Sequence, residues 1–263
     1  MDDTFWHRQS PDQPLFPEVD WARPQSRARG GKLLIIGGNR QAFHRVAQAF
    51  AIAQQNSVGE IKVAVPDSLR TVLSDNIPGC VFLKSNASGG VGLGAKEQLS
   101  AYAEWADSVL IAGDLGRNSE TPQVLDSFVS AYSGPLTITT DGAEAMAFSY
   151  SNLLDRPESL LVITIAQMQK FFKETHQTTA ITSDMGMVKL AETFRELTKS
   201  HSISLTTFYE SKLISAHQGQ IATTPYEWSP DDPAWRLPVA TKQTAYWMQH
   251  KEIPFKALAA AHL

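Results

Sequence analysis

From Lys32 onward the chain keeps returning to short, mostly apolar runs, and no other feature constrains its fold as strongly. The runs are Lys32–Ile36, Ile61–Val65, Val81–Leu83, Ser108–Ala112, Leu136–Thr140 and Leu160–Ile165. A strand that alternated apolar and polar residues would face water on one side. A strand apolar at every position is covered on both faces, as parallel strands are. Between the runs, Gln41–Gln55, Glu97–Trp105 and Ser119–Tyr132 carry apolar residues at helical spacing. Strand–helix units of about 30 residues imply right-handed crossovers in a doubly wound sheet.

The C-terminal third changes pattern. Ile203–Phe208, Lys212–His217 and Gln220–Thr224 read as strands, with a turn at Gln218-Gly219-Gln220. Val239–His250 and Pro254–His262 read as two closing helices. Residues 1–30 stand apart as an extended leader, containing Pro11, Pro14, Pro17 and Pro24 with no regular periodicity. Its tryptophans, Trp6 and Trp21, are expected to pack on the body of the protein. Residues 31–263 then form one α/β domain.

Bulk properties exclude several classes of function. With 23 basic and 27 acidic residues the net charge is −4, which gives no electrostatic footprint for nucleic acid. A single cysteine, Cys80, rules out an internal disulfide and a cysteine-built zinc site. The first ten residues are not a secretory signal, and no apolar run approaches the roughly 20 residues of a membrane span. A cytoplasmic protein is expected.

Ligands of open α/β sheets bind at the carboxyl ends of the strands, where backbone amides attract anions. Four segments fall there. Gly37-Gly38-Asn39 permits close ligand approach, with Asn39 placed to cap the next helix, although the third glycine of a dinucleotide fingerprint is missing. Ser88–Gly94 reads as a flexible glycine loop ahead of a phosphate cradle. Ala112-Gly113-Asp114-Leu115-Gly116-Arg117-Asn118 pairs close-approach glycines with Arg117, a phosphate partner, while Asp114 opposes an anion. Asp141, at the end of Thr139-Thr140-Asp141-Gly142, can bind a hydroxyl or a metal, or cap a helix. The expected ligand-binding set is therefore Gly37, Gly38, Asn39, Gly113, Asp114, Gly116, Arg117 and Asp141. The seven histidines show neither metal-ligand nor triad spacing, so no metal site is expected. Asp231-Asp232 is an acidic pair flanked by Pro230 and Pro233, which makes a solvent-facing loop the leading reading.

Taken in order, these segments resemble the ribokinase-like domain of ADP- or ATP-dependent NAD(P)H-hydrate dehydratases. Lys32–Asn39 is similar to the family's opening strand and Gly-Gly-Ser turn, and Ile61–Pro66 to its second strand, which ends in valine-proline. Ala106–Asn118 resembles its Ala-Asp, apolar strand and Gly-Pro-Gly-Leu-Gly-Arg. Leu136–Gly142 echoes its strand ending in Asp-Ala-Asp-Gly, with Asp141 on the second aspartate. Leu161–Thr164 is similar to its Leu-Thr-Pro-His segment, and Pro254–Ala257 to the start of its closing helix.

The resemblance implies a ribokinase-like three-layer α/β/α sandwich with a mostly parallel central sheet, and a homo-oligomer. It also implies a nucleotide or dinucleotide ligand, ADP/ATP with Mg or NAD(P)H. Enzymes of this family phosphorylate the added hydroxyl of hydrated NADH or NADPH and eliminate it. That chemistry needs a backbone anion hole and a carboxylate base, which the family supplies in a Gly-Thr-Gly-Asp motif. Here the corresponding stretch is Asp232-Pro-Ala-Trp-Arg-Leu-Pro238. The family's Pro-His becomes Ile165-Ala166, its Lys-Gly becomes Thr206-Thr207, and its Gly-Pro-Gly becomes Ala112-Gly113-Asp114.

These departures fall on ligand contacts and spare the apolar strands. The favoured reading is a non-catalytic, dehydratase-like protein that binds a nucleotide-like ligand or a protein partner. The alternative is an active dehydratase or small-molecule kinase with a rebuilt site, drawing on Asp231, Asp232, Asp114 and Arg117. A dinucleotide binder using Gly37, Gly38 and Asp67 is discounted, because its acid lies too far along the chain.

Overall fold

Leu33 and Ile35 turn their side chains to one face of a sheet, and Leu34 and Ile36 to the other; all four are wholly buried. This is the physical meaning of an unbroken apolar run: successive residues of a strand point to opposite sides, so both sides must be covered. The computed structural model describes residues 5–73, 77–182, 184–229 and 232–262. Its ten strands, all in one sheet, are β1 (Trp6–Arg8), β2 (Lys32–Gly37), β3 (Glu60–Pro66), β4 (Cys80–Leu83) and β5 (Ser108–Gly113), then β6 (Leu136–Thr139), β7 (Ser159–Val162), β8 (Ser204–Tyr209), β9 (Lys212–His217) and β10 (Gln220–Pro225).

The spatial order is β1-β10-β9-β8-β7-β6-β5-β2-β3-β4. Strands β2 to β8 run parallel, and β9 is antiparallel to both β8 and β10. The β9–β10 hairpin turns through Gln218 and Gly219 at φ 46° and 76°, the left-handed conformation such two-residue turns require. The turn expected at Gln218–Gln220 is therefore present.

Helices cover both faces. On one lie α2 (His44–Gln55), α3 (Arg70–Leu73), α10 (Arg236–Gln249) and α11 (Pro254–Ala260). On the other lie α4 (Lys96–Trp105), α5 (Glu120–Ala131), α6 (Thr140–Ala145), α7 (Tyr150–Leu154), α8 (Ile165–Glu174) and α9 (Met187–Ser200). A short α1 (Pro17–Trp21) packs Val19 against Tyr246 and α11. The mostly parallel, three-layer α/β/α sandwich expected from the sequence is what forms.

Several local expectations are corrected. The leader contains a strand: β1 pairs in parallel with β10, and the buried Gln9 donates to Thr224 Oγ1 at 2.8 Å and to the Ala259 carbonyl at 2.7 Å. Trp6 packs as expected, donating to Thr223 Oγ1 at 3.1 Å, whereas Trp21 is 80% exposed. The expected strand Leu160–Ile165 stops at Val162. Thr164 and Gln167 form a reciprocal capping box that starts α8 at Ile165. Asn39 does not cap α2, whose N-cap is Phe43; Asn39 Oδ1 instead accepts from the Gln41 amide. At α5, Asn118 Oδ1 accepts from the Thr121 amide at 2.7 Å, and the Ser119 side chain caps nothing. The glycine loop 88–94 is pinned rather than free, because Asn86 Oδ1 accepts from the amides of Ser88 and Gly90 at 3.0 Å each.

Candidate functional site at the strand carboxyl ends

β2, β5 and β6 end side by side, which brings three of the four expected loops together. Gly37 and Gly113 are the points of closest approach. A Cβ on Gly37 would sit 2.3 Å from the Gly113 carbonyl, and one on Gly113 would sit 2.0 Å from Thr140 Oγ1. Gly113 also has φ +108°, which favours glycine on backbone grounds alone. Across this junction the Gly38 amide donates to the Gly113 carbonyl at 2.9 Å, and Asn39 Nδ2 to the Asp114 carbonyl at 2.6 Å.

Two side-chain-bearing residues here hold left-handed backbone, Asp114 at φ 57° and Thr140 at φ 54°. For β-branched threonine this conformation costs on the order of 1–3 kcal/mol and needs support from its surroundings. That support is visible. Thr140 Oγ1 donates to the Ala112 carbonyl at 2.7 Å, and Gln167 Nε2 to the Thr140 carbonyl at 2.9 Å.

The electrostatics centre on two carboxylates and two guanidinium groups. Asp141 accepts from the backbone amides of Asp114 and Leu115, both at 2.9 Å, and from Arg45 Nη1 at 2.5 Å. Buried Asp114 accepts from the Arg45 amide at 2.9 Å, with Arg45 Nε at 3.4 Å and His44 Nδ1 at 3.3 Å. Arg236, the first residue of α10, is 92% buried; its Nη1 donates to Gln167 Oε1 at 2.6 Å and its Nε to the Pro233 carbonyl at 3.0 Å. Burial above all, with the neighbouring Arg45 charge, lowers the Arg236 pKa from its ordinary value. A cavity of about 260 Å³ opens between α2 and α10, lined by His44, Arg45, Thr140, Asp232 and Arg236 among others. A larger cavity of about 780 Å³ runs along α9 beside β1 and shares no residue with this site.

The expected residues divide clearly. Gly37, Gly38, Asn39, Gly113, Asp114 and Asp141 converge on the junction. Gly116 is exposed but packs against the junction, where a Cβ would sit 3.2 Å from Asn39 Nδ2; Arg117 is exposed and has no hydrogen bond or ion pair among the described residues. Asp232 lines the cavity and accepts from the Ala234 amide at 2.9 Å; Asp231 lies outside the described residues. Arg45, Gln167 and Arg236 escaped the sequence reading. Gln167 had a legible signal, the Thr164-x-x-Gln167 capping box ahead of an apolar run. Arg236 had none, because the helix was expected to begin at Val239, one turn too late.

The start of α10 is poor in anion donors. Pro233 and Pro238 carry no amide hydrogen, the Ala234 amide is taken by Asp232, and the Arg236 amide bonds back to the Pro233 carbonyl. Trp235 turns inward, 2% exposed, with its ring 6.0 Å from that of Phe208.

This architecture has known counterparts. A ribokinase-like superfamily protein from Enterococcus faecalis matches with a TM-score of 0.70 at 16% identity, over 97% of this chain and 84% of that one. The ADP/ATP-dependent NAD(P)H-hydrate dehydratase of Bacillus subtilis, co-crystallised with ATP/Mg2+ and soaked with CoA, matches with a TM-score of 0.63 at 14% identity, over 94% and 85%. The fold is therefore ribokinase-like, as the resemblance implied.

Sequence narrows the relationship further. Over 155 residues the chain is 26% identical to the bifunctional NAD(P)H-hydrate repair enzyme of Methanothermobacter thermautotrophicus, a match to 57% of this chain and 29% of that enzyme. It thus spans less than a third of the length of that curated relative. No family model matches the chain. The chain thus has a ribokinase-like fold and is similar in sequence, over part of its length, to NAD(P)H-hydrate repair enzymes; its own sequence contains no Gly-Thr-Gly-Asp.

Proposed function

We propose that this protein binds a nucleotide-like ligand at the carboxyl ends of its strands and no longer catalyses phosphoryl transfer. One observation carries the reading: the amides that could hold a transferring phosphoryl group are already committed. The Asp141 carboxylate occupies the amides of Asp114 and Leu115, and the first turn of α10 has lost donors to Pro233, Pro238 and Asp232. Each missing oxyanion donor raises a reaction barrier by about 3–4 kcal/mol, so losing two slows the chemistry by more than about 10⁴-fold. The ligand class is suggested by the names of the relatives, an NAD(P)H-hydrate repair enzyme and an ADP/ATP-dependent dehydratase.

The competing reading, a working dehydratase or kinase, draws on Asp232 as a base that shares the cavity with Arg45 and Arg236. Thermal unfolding with ADP, ATP, NADH and NADPH, each with magnesium, paired with a hydrate-consumption assay, separates the two. A ligand at 100 times its dissociation constant adds about 2.7 kcal/mol of stability, readily seen as a raised midpoint. The expected result is a raised midpoint with at least one nucleotide and no consumption of hydrated NADH. ATP-dependent consumption that Asp232→Asn abolishes would establish the enzyme instead. No shift with any nucleotide would leave a protein partner as the function.

A further inference from the structure

We propose that Arg236, Arg45 and His44 form a side-chain anion seat in the cavity between α2 and α10, which takes the phosphate group of a phosphorylated ligand. The inference deepens the nucleotide-binding reading and rests on it for the rest of the ligand. Its starting point is Arg236. A guanidinium 92% buried normally faces a carboxylate, yet among the described residues Arg236 makes no ion pair. Its acceptors, the Gln167 side-chain oxygen and the Pro233 carbonyl, are both neutral. Burial and the Arg45 charge oppose its ionised form, while the Glu144 and Asp141 carboxylates favour it without an ion pair to either. An anion in the cavity would supply the direct charged partner that this buried guanidinium does not have.

The geometry also selects the anion. Gln167 is itself fixed, donating to the Thr140 carbonyl and to Glu144 Oε1 at 3.0 Å, so the Arg236 fork is held before any ligand arrives. A preorganised guanidinium fork suits the oxygens of phosphate better than a point charge. About 260 Å³ is small for a whole nucleotide but ample for a phosphate group, with the remainder of the ligand projecting past the exposed His44. One lining group opposes the seat: Asp232 is its single carboxylate among the described residues. The charge pattern therefore predicts the sign of each substitution. Behind the lining, Asp141 and Asp114 already pair with Arg45 and His44, so Arg236 is the seat's principal donor and the Asp141 carboxylate stays on its amides.

The test is calorimetric titration of the full chain with inorganic phosphate, ADP and adenosine. Wild-type protein is expected to bind phosphate and ADP. Arg236→Gln should weaken both at least about tenfold, the loss expected when a charged hydrogen-bond partner is removed. Because Arg236 is buried, a second variant guards against misfolding: Gln48→Glu, an exposed change at the rim, should also weaken both ligands. Asp232→Asn should tighten them. Adenosine affinity, if measurable, should be unchanged throughout. Phosphate and ADP binding equal in all four proteins, or no phosphate binding to the wild type, would overturn the seat. If ADP still binds in that case, the nucleotide reading survives alone. If phosphate binds and responds to the variants while no nucleotide binds, the seat stands and the nucleotide reading falls.

Discussion

Asp141 shows how one side chain can define a site without touching a ligand. Its two oxygens receive two backbone amides and one guanidinium, so the β5 and β6 loops are tied together through a single carboxylate. Removing it orphans two amides and frees Arg45 to lean on Asp114 alone. Hydrogen bonds to charged groups contribute about 1.5–3 kcal/mol each, but the Asp141 and Arg45 side chains are each 30% exposed and the three bonds share one carboxylate. Asp141→Ala is therefore expected to cost about 3 kcal/mol, read as a lowered urea midpoint at unchanged slope. Asp141→Asn, which keeps an acceptor oxygen, should lose less. A neutral result for the alanine variant would mean that Thr140 and Gln167 suffice to hold this strained turn.

At the scale of elements, α10 packs on β5, β6 and β7, and its Gln243 reaches a face of β8 and β9 that is unexpectedly polar. Gln243 Nε2 lies 3.0 Å from both Thr206 Oγ1 and Ser215 Oγ, Ser215 Oγ lies 2.8 Å from His262 Nε2, and Ser204 Oγ lies 2.7 Å from His217 Nδ1. The outer nitrogens, His262 Nδ1 and His217 Nε2, are buried with no partner among the described residues. A proton there would be a buried, unpaired charge, so burial pushes the His262 pKa down to about 3 and that of His217 to about 4. An unfolded histidine titrates near 6.5. Below that pH the unfolded chain takes up protons that the folded chain refuses. Stability is therefore full above about pH 6.5 and falls as the pH drops toward the folded values. Each histidine contributes at most about 1.4 kcal/mol per pH unit. Urea midpoints at about pH 7.5, 6 and 5 should show this decline. His262→Gln should make it shallower, with His217 carrying the remainder, even though the variant starts less stable; an identical decline in both proteins would mean that His262 does not contribute.

For the whole molecule, the decisive question is how the sheet is closed at the β10 edge. Residues 6–10 add β1 there and tie it in through Trp6 to Thr223, His7 to Gln220 and Gln9 to Thr224 and Ala259. The leader thus holds strand β10 and helix α11 at once. At about 1 kcal/mol for each side-chain hydrogen bond, deleting residues 1–10 should lower global stability by about 3–4 kcal/mol. The measurement is a calorimetric melting curve, in which the truncated chain melts lower in one cooperative step. An unchanged melting temperature would mean that the leader decorates the domain without supporting it.

The fold was legible because its cause is local. Short apolar runs such as Leu33–Ile36, alternating with helical segments, suit strands covered on both faces, and their number and spacing pointed to a parallel sheet between helix layers. The Gly37–Asn39, Gly113–Asp114 and Asp141 segments were legible for the same reason: turns that follow such strands must gather at one edge of the sheet. What lies across that edge was not legible. Arg236 arrives from more than 90 residues after Asp141, and its burial depends on a helix start that prolines on either side obscure. Likewise β1 is three residues long and has no periodicity to read. Only the tertiary structure, which sets charge beside charge at distances unrelated to sequence separation, decided that Asp141 would fill the amides and that Arg236 would be buried with no ion pair among the described residues.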